Sequence, residues 1–255
     1  MQNFHIYEEI GEGTGSVVYK GRKKQEIEFV AVKRVAKEYK QRVLNEVSVL
    51  YNFNHPNILR FINWYETRNH IWIIEEYCAG GDLYKLLSED KKLPEWSIRD
   101  FAKDIIYALH YVHSEGYLYC DLKPSNLVLL EDGQVKLCDF GLSRPVDDEA
   151  EGDVEGGDED GEGLVKGQPR RGPTRKGTPY YMAPELFHTL GVHSYATDMW
   201  SLGCLLYEMA TGKTPFYCRT LEKLIQKIGN DQVSPVPGFS KEFTDLLHRL
   251  LQKVG

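Results

Sequence analysis

Apolar and polar positions divide the chain into two parts of different rhythm. Up to about Tyr77, short runs rich in β-branched and aromatic residues alternate with polar turns. Val17-Val18-Tyr19, Phe29-Val30-Ala31-Val32 and Ile71-Trp72-Ile73-Ile74 each predict a strand. One interruption, Arg42 to Leu50, has its apolar residues at helical spacing. After Cys78-Ala79-Gly80-Gly81 the helical period takes over. Trp96 to Leu109 predicts a long, mostly buried helix, with Pro94 and Glu95 suited to its first turn. Trp200 to Ala210 predicts another. The expected class is α+β. A small strand-rich lobe spans 1–77, a hinge lies near Tyr77, and a larger helical lobe spans 78–255.

Residues 146–176 break this pattern. Ten of the 38 acidic residues lie between Asp147 and Glu162, and Lys166, Arg170, Arg171, Arg175 and Lys176 follow. The remainder carries 28 acidic and 26 basic residues, so the formal charge of −7 is local to one segment. Nothing in the near-neutral remainder argues for nucleic-acid binding. With few apolar anchors, the segment is expected to be disordered. The five cysteines are scattered without a Cys-x-x-Cys pair, which fits a reduced cytosolic setting. No apolar run approaches the ~20 residues of a membrane span. The opening Met1-Gln2-Asn3 suits neither a secretory leader nor N-myristoylation. The length suits one two-lobed domain or two small ones.

Candidate chemistry gathers in ordered motifs. Tyr119-Cys120-Asp121-Leu122-Lys123-Pro124-Ser125-Asn126 precedes the strand-like Gln134–Cys138, which runs into Asp139-Phe140-Gly141. An acid five residues before an asparagine, with a second acid downstream, is the set that phosphoryl transfer from Mg-ATP requires. Upstream, Ile10-Gly11-Glu12-Gly13-Thr14-Gly15-Ser16-Val17-Val18 looks like a glycine-rich loop that lets the backbone approach phosphate oxygens. Val30-Ala31-Val32-Lys33 ends on a single lysine, which Glu46 could reach from the predicted helix. Each piece alone has an ordinary reading: a turn, a hairpin, a solvated strand end, a surface glutamate. Their order argues against coincidence.

In this order, with Ala183-Pro184-Glu185 and Asp198-Met199-Trp200-Ser201-Leu202-Gly203 downstream, the chain resembles the eukaryotic protein kinases over nearly its whole length. Phe4 to Gly11, Val18 to Lys24, Trp64-Tyr65-Glu66-Thr67 and Tyr119-Cys120-Asp121 place it with the Unc-51-like and Fused-like group. The resemblance implies a bilobal fold with ATP between the lobes. It assigns Asp121 to the substrate hydroxyl, Lys123 to the travelling phosphoryl group, and Asn126 and Asp139 to Mg²⁺. Lys33, held by Glu46, takes the α- and β-phosphates. Ile10, Gly11, Gly13, Val18 and Ala31 enclose the nucleotide. The backbone of Glu76 to Cys78 meets adenine, and Asp82 reaches the ribose. Lys123-Pro124-Ser125-Asn126 and Gly177-Thr178-Pro179 resemble serine/threonine kinases, with Thr178 at the substrate-docking step. A packed column of Leu50, Phe61, Tyr119, Phe140 and Asp198 should join the lobes. Protein substrates, with cytoskeletal or ciliary partners and a cytoplasmic setting tied to microtubules, are implied by the group alone.

Four departures stand out. Ser16 replaces the third loop glycine, at little expected cost. Cys120 replaces an arginine that would bind an activation-segment phosphate, so switching through that arginine is not expected. Glu75 falls at the back of the adenine pocket, where an apolar residue or threonine is usual; Lys33 is its expected partner. The chain also stops before the usual Asp-Pro turn and the arginine that pairs with Glu185, so the helical lobe reads as incomplete. Besides an active kinase, a pseudokinase scaffold and an unstable truncated product remain open readings.

Overall fold

The computed structural model describes residues 3–13, 15–146, 179–188 and 191–253. The acidic and basic insertion and Thr178 lie outside them. Five strands form the first sheet: β1 (Phe4–Gly13), β2 (Ser16–Lys23), β3 (Phe29–Ala36), β4 (Phe61–Glu66) and β5 (His70–Glu76). All neighbours are antiparallel, in the order β1-β2-β3-β5-β4. Side chains alternate across a strand, and both faces of the central strands are used. Val30, Val32 and Ile74 pack with Phe4 on one face. Val35, Ile71 and Ile73 pack on the other against Val43 of α1 (Lys40–Asn52).

The helical part follows through α2 (Leu83–Asp90), α3 (Glu95–Ser114), α4 (Tyr195–Thr211), α5 (Leu221–Asn230) and α6 (Lys241–Leu250). Short strands β6 (Tyr117–Leu118), β7 (Leu127–Leu129), β8 (Val135–Leu137) and β9 (Arg144–Pro145) lie between α3 and α4. On α3, Ile98, Ala102, Ile105, Leu109 and Val112 repeat at helical spacing and are buried. Pro94 caps this helix from outside rather than occupying its first turn. The α4 helix is buried nearly all round, as a central core helix must be. It starts five residues before Trp200, because Ser194 and Thr197 form a capping box that apolar periodicity does not register.

The lobes share one apolar seam. Leu50, Tyr119 and Phe140 belong to the large core, and half-buried Phe61 packs against both that core and the α1–sheet cluster. The Tyr119 and Phe140 rings meet edge-on at 5.2 Å. Asp198 closes the column from α4, accepting from the backbone N–H of Tyr119 and of Cys120, each at 2.9 Å. The expected column is therefore contiguous.

Gly203 marks where α4 and α6 come closest: a Cβ there would stand 2.9 Å from Leu250 and Leu251 side-chain atoms. Gly203→Ala should cost about 1–3 kcal/mol of stability through overpacking, read as a lowered denaturation midpoint with an unchanged slope.

Candidate active site

A cleft of about 710 Å³ opens between the sheet and the helical part. Its lining includes every residue expected to hold a nucleotide: Ile10, Gly11, Gly13, Val18, Ala31, Lys33, Glu76, Cys78 and Asp82. The β1–β2 hairpin forms one wall. Gly15 adopts φ +69°, and a Cβ there would fall 1.9 Å from the Tyr39 ring, so the hairpin can settle on that ring only with glycine. Ser16 pairs normally with Gly13 and Val35. The Glu76 carboxylate points away from the cleft, accepting from the Arg60 N–H at 2.7 Å and pairing with Lys136 at 2.9 Å. That leaves the 76–78 backbone to meet a base. Asp82 caps α2 by accepting from the Lys85 N–H.

The phosphate end is organised by α1. Glu46 is buried and accepts from the Lys33 ammonium through both oxygens, at 2.7 and 2.9 Å. Burial opposes the Lys33 charge, but the surrounding carboxylates of Glu46, Asp139 and Glu75 outweigh it and hold the ammonium protonated. One turn earlier on the same face, Arg42 pairs with Asp139 at 2.7 Å. Burial pushes the Asp139 carboxyl up, but Lys33 and Arg42 overcome it and lower the group to about 2. Asn45, between them, donates to the carbonyls of Phe140, Gly141 and Ser143. Asp139 itself sits at φ +54°, a conformation a non-glycine residue keeps only when its surroundings enforce it.

The loop after β6 supplies the other groups. Lys123 donates to the Asp121 carboxylate at 2.7 Å. The Asn126 amide donates to the Asp121 carbonyl at 2.8 Å and to its carboxylate at 3.1 Å. The Asn126 side-chain oxygen is a hard ligand, while its backbone carbonyl accepts from the Cys138 N–H. Burial raises the Asp121 carboxyl, with Lys123 working against it. Asp121 also lines a small hollow with Tyr181, Met182 and His193. Cys120, at φ +69°, has its thiol pushed up to about 12 by burial, which makes it an inert filler rather than an anion ligand. Arg144 hydrogen-bonds beside it.

One expectation needs correcting. Lys33 is not hydrogen-bonded to Glu75; Glu46 takes it with both oxygens. Glu75 is 4% exposed, and its Oε1 has no hydrogen-bond partner among the described residues. Burial raises its carboxyl to about 8. Glu185 is only half-buried, so its carboxylate does not need a partner as a buried one would. The sequence reading also missed Arg42 and Asn45. Arg42 four residues before the expected Lys33 partner and Asn45 directly before it, on one helical face, were the available signal.

The chain matches the protein kinase domain family over residues 4–254. It is 50% identical to the serine/threonine-protein kinase RUNKEL of Arabidopsis thaliana over 254 residues, 99% of this chain and 17% of the relative. Identity is 39% to the serine/threonine-protein kinase ULK4 of Mus musculus, over 99% of this chain and 20% of the relative. It is 35% to the serine/threonine-protein kinase 36 of Mus musculus, over 99% and 18%. The chain thus spans about a fifth or less of these relatives. It belongs to the protein kinase family, within the serine/threonine kinases related to the Unc-51-like group, and its architecture is the bilobal α+β fold of that family.

The raised Glu75 carboxyl carries a stability prediction. A folded-state value of about 8 against an ordinary 4.5 means that folding favours the protonated acid. Stability is then lost as pH rises through that window and is constant above it. Glu75→Met should be more stable than the parent by about 2 kcal/mol near pH 8. The advantage should shrink towards pH 5, as measured by paired denaturant titrations.

Proposed function

We propose that this chain is an ATP- and magnesium-dependent serine/threonine protein kinase, moving the γ-phosphoryl group of ATP to a protein hydroxyl. The observation that carries the reading is the convergence of Lys33, Glu46, Lys123, Asn126 and Asp139 on one cleft, with the Asp121 carboxylate hydrogen-bonded to Lys123 and Asn126. The strand-rich lobe, residues 1–77, and the helical lobe, residues 78–255, would each contribute one wall.

Asp121 orients the incoming hydroxyl and takes its proton as the oxygen bonds to phosphorus. The bond between phosphorus and the β,γ-bridging oxygen breaks, and ADP leaves. Such a base works by placement more than by strength. Lys123, already on the Asp121 carboxylate, offers positive charge to the phosphoryl oxygens in transit. The remaining donor of Lys33 faces the inner phosphates while Glu46 fixes its position. The hard oxygens of Asn126 and Asp139 suit Mg²⁺, which neutralises phosphate charge when bound. A cytoplasmic kinase acting on cytoskeletal or ciliary proteins is proposed from family resemblance alone.

A second reading, a scaffold that binds ATP without transferring phosphate, is favoured by one contact: Arg42 already holds the Asp139 carboxylate. The two readings part on phosphate transfer from γ-labelled ATP to a generic basic protein. The kinase reading expects transfer that needs Mg²⁺ and falls at least about 100-fold in Asp121→Asn and in Asp139→Asn. A folded protein that binds ATP and transfers nothing would make it a scaffold.

A further inference from the structure

The back of the cleft holds a polar atom, Glu75 Oε1, that no group among the described residues satisfies. Strand register fixes its place. Glu75 stands opposite Ala31 on β3 and opposite Phe61 on β4, so its carboxyl shares a sheet face with Ala31, which walls the cleft. Glu75 lines the cleft. The next three residues are the backbone segment offered to a base, and the Glu76 side chain is committed elsewhere. Around Glu75 the charged groups are Lys33, Glu46, Asp139 and Glu76. Lys33 is taken by Glu46, Arg42 by Asp139 and Lys136 by Glu76. Each neighbouring cation thus has its own carboxylate, and Glu75 has none. A carboxyl on the wall of a ligand cleft with one oxygen unpaired among the described residues is a group for the ligand to complete.

We propose that Glu75 is a specificity-determining residue that reads the base: its carboxyl accepts a hydrogen from the 6-amino group of adenine. The inference rests on the nucleotide reading above. The adenine amino group has two hydrogens. A hinge carbonyl in the 76–78 segment can take one, and Glu75 the other. Burial, with the carboxylates of Glu46, Asp139 and Glu76, outweighs Lys33 and favours the acid form of Glu75, whose O–H can donate to adenine N7. Adenine thus meets acceptor with donor and donor with acceptor. A 6-oxo purine places acceptors at both O6 and N7, so at most one of the two contacts survives. Rejection is steep where a buried polar group is left unpaired.

The test is calorimetric titration of the full chain with Mg-ATP and with Mg-inosine triphosphate. The parent should bind ATP at least tenfold more tightly than the inosine nucleotide. Glu75→Met should lower that ratio about tenfold, whereas Glu75→Gln, whose amide offers both an acceptor and a donor, should keep most of it. An unchanged ratio in Glu75→Met overturns the proposal. A second measurement needs no variant: 7-deaza-ATP, which lacks the N7 acceptor, should bind the parent several-fold more weakly than ATP, and equal affinity would remove the N7 contact. Failure of the parent to bind either triphosphate has a different signature; it overturns the nucleotide reading and this inference with it.

Discussion

The site depends on one buried ion pair, Lys33 with Glu46. A buried glutamate needs a partner or a proton; Glu46 has a partner, and both of its oxygens are used. The pair joins a central strand to α1, so the position of α1 and the position of the Lys33 ammonium become one variable. Arg42 and Asn45 extend the same helical face to Asp139 and to the backbone after it. One helix face thereby sets two chemical groups whose sequence positions are about a hundred residues apart. Pairs of this kind contribute little net stability; their effect is to fix geometry.

Asp198 does the equivalent for the helical part. Its carboxylate takes the N–H groups of Tyr119 and Cys120 and faces the His113 ring at 2.9 Å. Cys120 can then adopt a left-handed backbone conformation without an arginine side chain to brace it. Tyr119 fills the column between α4 and Phe140, its hydroxyl donating to the Cys138 carbonyl. Exchange of the usual His-Arg for Tyr-Cys thus keeps the packing and removes a cation. Arg144 is a basic side chain beside that spot.

Much of this was legible in the sequence. The strand-then-helix rhythm gave the two lobes, and the order of motifs named the residues that line the cleft. The partner of Glu75 was not legible, because the answer lies in register. Lys33 stands opposite Ile73 and Glu75 opposite Ala31, so the two charges sit diagonally on one face while α1 brings Glu46 directly over the lysine. Arg42 was missed for a related reason. Only the packed position of α1 shows that its first turn overlies Asp139. The early start of α4 was hidden because its first turn is capped by polar side chains instead of being marked by apolar spacing.

The central claim is that α1 sets the phosphate end of the cleft through Lys33 and Glu46. ATP affinity in Glu46→Gln tests it most directly, because the amide keeps the size and removes the charge. The account predicts an affinity reduced about tenfold or more, with the fold intact by circular dichroism. Parent-like ATP affinity in a folded Glu46→Gln protein would contradict it.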